Sequence, residues 1–157
     1  MALKRIERIE RQGAPGDKRL AKILYVEDED PNWDVTELHL RGKYELKRAR
    51  NSTETFTLLA REEFDLILLD IQLGGSEYNG IEMCKIIKRR AGTSLPPGTM
   101  ALRCAHIPIV FVTAYASRYD KATLMQAGAD EVVTKPVDYT RLLLVSSRLA
   151  VKSLHAP

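Results

Sequence analysis

The chain has 157 residues, 45% hydrophobic and 29% charged, with a formal net charge of +3. That length suits one domain with one core, and the composition is that of a globular protein, not a disordered or fibrous one. So small a positive excess gives no reason to expect nucleic acid as a partner, and no apolar run is long enough to cross a bilayer. Residues 1–22 carry a net +4 and the remainder −1. Residues 1–21 read as a basic N-terminal extension, with Leu3, Ile6 and Ile9 three apart as a narrow helical stripe, broken at Gly13–Gly16. No apolar stretch follows the basic residues, so this is not a secretory leader, and the expected location is the cytoplasm. The two cysteines, Cys84 and Cys104, lack zinc-site spacing and read as reduced, part-buried thiols.

From Lys22 onward strand and helix signals alternate. KILYV (22–26) has the length and composition of a buried strand and runs into the acidic cluster Glu27–Asp30. Pro31 suits the first turn of a helix whose apolar candidates are Trp33, Leu38 and Leu40. YELKRAR (44–50) is a strand of mixed polarity, as expected at a sheet edge. Asn51 and Glu54 form a candidate capping box ahead of a helix carrying Phe56, Leu58 and Leu59. FDLILLD (64–70) is the most strand-like run, and it ends in an aspartate. A Gly-rich loop, 74–80, leads to a helix expected over about 81–90. IPIVFVT (107–113) is a fully apolar strand, and a helix over about 118–127 stops at Gly128. EVVTK (131–135) is the last strand, followed by a helix that Asp138 caps.

Five such βα units with continuous apolar strands predict an α/β fold: a doubly wound, five-stranded parallel sheet of flavodoxin-like order, covered on both faces. Functional groups then belong at the carboxyl ends of the strands. Those ends carry Glu27 and Asp28, Asp70, Thr113 and Lys135. Three carboxylates, a hydroxyl and an ammonium therefore converge on one crevice. Crowded carboxylates need a cation, and a hard divalent ion such as Mg2+ suits oxygen ligands and phosphate alike. One carboxylate can act as nucleophile toward a phosphoryl group while Lys135 and the ion neutralise its oxygens and Thr113 donates a hydrogen bond.

KILYVEDED, FDLILLD, IVFVTA and VVTKP, in this order, resemble the signature of response-regulator receiver domains. The resemblance spans about residues 22–150 and implies a receiver domain over 22–157 with an insertion at about 90–106. It implies that Asp70 accepts the phosphoryl group and that Glu27 and Asp28, with the Gln72 backbone carbonyl, hold Mg2+. It assigns Thr113 and Lys135 as the remaining site residues and makes the Lys135–Pro136 bond cis. It further implies a phosphoacceptor that catalyses only its own phosphorylation and dephosphorylation. The implied donor is a sensor histidine kinase or phosphotransfer protein. With the chain ending soon after its last helix, output is expected by contact with a downstream protein target or a second copy. The expected surface is the helix–strand–helix face, where one of Leu142, Leu143 and Leu144 must point outward.

Three departures from the family pattern stand out. Val132 replaces the aromatic usual three residues before the lysine, so output cannot use rotation of that ring. Gly74 stands where proline is usual. The stretch 90–106 is longer than usual and enters its strand at the amino end, so it is expected opposite the crevice, near the N-terminal extension. The main competing reading is a receiver-like interaction module that phosphorylation does not regulate. An aspartate-nucleophile phosphatase needs an acid two residues after the nucleophile, where Gln72 stands. A flavin carrier needs a phosphate-cradling loop where Glu27–Asp30 stand.

Overall fold

KILYV is apolar at four of its five positions because the strand it forms is covered on both sides. In the computed structural model, which describes residues 19–154, β1 (Lys22–Val26) sends Ile23 and Tyr25 to one face and Leu24 and Val26 to the other. The same alternation holds in β3 (Leu66–Leu69) and β4 (Ile109–Thr113), and all nine of their residues are buried. The stripe at Leu3, Ile6 and Ile9 lies outside the described residues.

The five strands, with β2 (Glu45–Ala49) and β5 (Glu131–Thr134), pair in parallel in the order β2-β1-β3-β4-β5. This is the doubly wound order expected from the sequence. β2 is at an edge, which is why it tolerates Glu45, Lys47 and Arg48. One face of the sheet packs against α1 (Asp30–Leu40) and α5 (Tyr139–Leu154) through Leu40, Leu142, Val145 and Leu149. The other face takes α2 (Ser52–Arg61), α3 (Gly80–Ile87) and α4 (Lys121–Gln126). Burying each large aliphatic side chain stabilises the fold by roughly 1.5–3 kcal/mol.

Local differences from the expected elements have identifiable causes. Leu38 is 64% exposed: it lies two residues from buried Leu40, which puts it near the opposite side of α1. Thr36 takes the inward place. Asn51 caps α2 by accepting from Glu54 N–H, but the Glu54 carboxylate reaches one residue further back, to Arg50 N–H. The reciprocal capping box belongs instead to Asn79 and Glu82 at the start of α3. That helix ends at Ile87, short of the expected 90, because Arg89 adopts a left-handed φ of 52°. α4 starts at Lys121, after a short 3-10 turn over Ala116–Arg118, and Gly128 follows it with φ 112°.

The 90–106 stretch is tied into the fold. Leu102 and Cys104 join the main core cluster, and Thr99 is buried. The Arg89 guanidinium donates to the carbonyls of Thr99, Met100 and Leu102. Pro96–Thr99 share a groove with α2 and with Tyr78 on the loop after β3. The stretch therefore runs along the α2 flank as well as the amino ends of the strands.

Candidate functional site

Backbone pairing fixes the site before any side chain does. Glu27 N–H donates to the Ala49 carbonyl at 2.9 Å, Asp70 N–H to Val26 at 3.1 Å, and Lys135 N–H to Thr113 at 3.0 Å. Each charged residue thus sits one position past the carboxyl end of its strand. The alternation of the strands puts all three on the face of Tyr25, Leu68 and Val133. There the Lys135 ammonium lies 2.8 Å from Asp70 Oδ2 and 2.9 Å from Glu27 Oε2. The Lys135–Pro136 bond is cis.

Glu27 is fully buried and well supplied with donors. Besides Lys135, the Tyr25 hydroxyl donates to Oε2 at 3.3 Å. Asn32 Nδ2 donates to Oε1 at 2.9 Å and Glu29 N–H at 3.4 Å. These bonds offset the cost of removing a carboxylate from water. Burial still raises the Glu27 pKa, against the hydrogen bonds from Lys135 and Asn32 that lower it. For Lys135 burial opposes the charge, but the bonds to Asp70 and Glu27 outweigh it and hold the ammonium above its ordinary range.

Asp70 Oδ1 accepts Ile71 N–H at 2.7 Å, and the residue is only 6% exposed. Asp28 is half-buried, and its Oδ2 accepts Gly74 N–H at 2.9 Å. Glu27, Asp28 and Asp70 each bring one oxygen to within 4.8 Å of the others. An all-oxygen, acidic set at that spacing fits a hard divalent cation such as Mg2+. Thr113 is fully buried, and its Oγ1 accepts Tyr115 N–H at 3.1 Å. Asp28, Asp70, Gln72, Tyr115 and Lys135 line a crevice of about 540 Å3, with Gln72 exposed at its edge. Every site residue expected from the sequence is in or beside this crevice.

Residues 23–146 match the response regulator receiver domain family. The chain belongs to this family. Among solved structures, this receiver is similar to a CheY-like response regulator receiver domain protein from Methanospirillum hungatei JF-1. That match has 27% identity and a TM-score of 0.68, covering 85% of this chain and 96% of that one. It is also similar to the receiver domain of the sensor histidine kinase PA1611 from Pseudomonas aeruginosa PAO1, solved with magnesium coordinated in its active-site cleft. Here identity is 25% and the TM-score 0.67, over 84% of this chain and 98% of that one. It matches the fold of NtrX from Brucella abortus at 24% identity and a TM-score of 0.70, over 85% of its own length but only 28% of that protein.

Three contributors to the receiver site were not singled out from the sequence. Asn32, in the first turn of α1, bridges Glu27 and Glu29. Arg48 on β2 donates to the Glu27 carbonyl at 3.0 Å and pairs with Asp30 at 2.7 Å. Gly80 presses its backbone on the end of β3: a Cβ there would lie 2.1 Å from the Asp70 carbonyl oxygen. The Asn-Gly-x-Glu pattern at 79–82 is the readable signal for that helix start. No helix among the described residues is long and apolar enough to cross a membrane.

Proposed function

We propose that this receiver is a phosphoacceptor switch that takes a phosphoryl group on Asp70 from a sensor histidine kinase or phosphotransfer protein. The carrying observation is the Lys135 bridge to Asp70 beside the cluster of Glu27, Asp28 and Asp70. Bound Mg2+ would supply positive charge to the phosphoryl oxygens, held by Glu27, Asp28, Asp70 and the Gln72 carbonyl. An Asp70 carboxylate oxygen forms the bond to phosphorus as the bond to the donor nitrogen breaks, and the leaving imidazole takes up a proton. Lys135 holds Asp70 in place and then faces the added charge. The Thr113 hydroxyl would donate to a phosphoryl oxygen.

The proposed setting is the cytoplasm, with output by protein contact and without nucleic acid or membrane as partner. Val132 is part-buried against the core, at the position where the sequence resemblance leads one to expect an aromatic ring. This favours a second reading, a receiver-like module whose contacts do not depend on phosphorylation. Intact mass after incubation with Mg2+ and a small phosphodonor such as acetyl phosphate tests the first reading. The wild type should gain one acid-labile phosphoryl group and Asp70→Asn none. A wild type that gains none, or an Asp70→Asn that gains as much, overturns it.

A further inference from the structure

The four consecutive acids Glu27–Asp30 are not held alike. Glu27 is paired by Lys135, Asp30 by Arg48 and Arg50, and Glu29 accepts the Asn32 amide. Asp28 pairs with no basic side chain among the described residues. It accepts instead from a backbone group, Gly74 N–H, at 2.9 Å from Oδ2. That amide belongs to the loop that follows Asp70 and carries Gln72. A proline at this place would have no N–H and could not make the bond. Gly74 has no left-handed φ, so its backbone angle does not demand glycine. Space does constrain it: a Cβ would lie 3.1 Å from Asp28 Oδ2.

We propose that the Gly74 amide is a positioning group for the divalent cation. It fastens the Asp28 carboxylate over the crevice and ties the loop carrying Gln72 to the acidic turn. Asp28 and Asp70 are like charges that would otherwise move apart when no ion lies between them. A backbone donor to an ionised carboxylate is among the stronger hydrogen bonds, and here it preorganises two segments that supply ligands. The inference rests on the magnesium reading of the site given above.

Isothermal titration with Mg2+ tests it on the wild type, Gly74→Ala and Gly74→Pro, with thermal melts to check folding. Gly74→Ala keeps the donor and should bind within about threefold of wild type, whereas Gly74→Pro should bind about tenfold more weakly. Equal affinity in Gly74→Pro overturns the inference, as does an equal loss in Gly74→Ala, which would assign the effect to crowding of Asp28 by a side chain at 74 and not to the lost donor. A wild type that binds no Mg2+ overturns this inference and the magnesium reading together. Should Gly74→Pro not fold, the Gly74 amide proton supplies a second readout. Its resonance should move upfield in Asp28→Asn relative to wild type, and an unmoved resonance overturns the inference.

Discussion

Lys135 and Asp70 meet at 2.8 Å although β4 lies between their strands. The same ammonium bonds Glu27 at the end of β1, one strand further across the sheet. A single flexible side chain thus spans the site and separates two buried carboxylates that would repel each other.

Removing that ammonium strands a fully buried charge. Lys135→Met should destabilise the protein by about 3–5 kcal/mol in the absence of Mg2+, because Glu27 loses its charged partner. Adding Glu27→Gln should recover a large part of the loss, since the amide needs no counter-charge. Urea titration of the single and double variants checks this; strictly additive losses would show that the two residues do not act as a pair.

Gly80→Ala forces a carbon against backbone atoms, 2.1 Å from the Asp70 oxygen and 2.8 Å from Ile71 Cα. The start of α3 must move away from the end of β3. We expect a stability loss of about 1–3 kcal/mol and slower phosphorylation of Asp70. Thermal denaturation and the intact-mass time course measure the two effects. An alanine variant of wild-type stability and rate would mean that the contact relaxes at no cost.

Burial pushes the Cys84 thiol up to about 12 from an ordinary 9.0. The unfolded chain therefore loses this proton at lower pH than the native protein does. Between about pH 9 and about 12 the unfolded state binds fewer protons, so stability falls as pH rises through that window. The Tyr25 hydroxyl, also raised by burial and by Glu27, adds to the fall above its ordinary value of 10.0. Urea midpoints at about pH 8 and about pH 10 should differ less in Cys84→Ala than in wild type. An equal difference would remove Cys84 from the alkaline transition.

On α5 the run of three leucines divides as one buried stripe requires: Leu142 is fully buried, Leu143 is packed in part, and Leu144 is 69% exposed. Val151, two turns on, is also exposed. With Val132 in place of a rotating ring, use of this surface should not depend on phosphorylation. Sedimentation with and without a phosphoryl mimic should give the same self-association, and Leu144→Glu should lower any that is seen. Association that appears only with the mimic would show switching without the aromatic.

The strands were legible because burial on both faces leaves little place for a polar residue between their ends, as in LILL (66–69) and IVFV (109–112). The site was legible for the complementary reason, since a charge placed directly after such a run has only the strand end to occupy. Helix details were less so. Leu38 is as apolar as Leu40, and only the packing of α1 tells which faces inward. Asn32 and Gly80 were not readable as site residues either. Their roles depend on what α1 and α3 approach, the Glu27 carboxylate and the Asp70 carbonyl, and it is the fold of the intervening turn or loop, not the residue type, that brings each pair together.

The stretch from 90 to 106 has the outline of an added loop but shares the core of the domain. Leu102 and Cys104 are under 7% exposed and sit among side chains of β3, β4 and α3. Arg89 grips three of its carbonyls from the end of α3. Trimming it to the short connection of a typical relative would therefore uncover apolar surface and release the guanidinium at once. An attempt to graft the stretch onto another receiver must carry Arg89 and the surrounding core residues along.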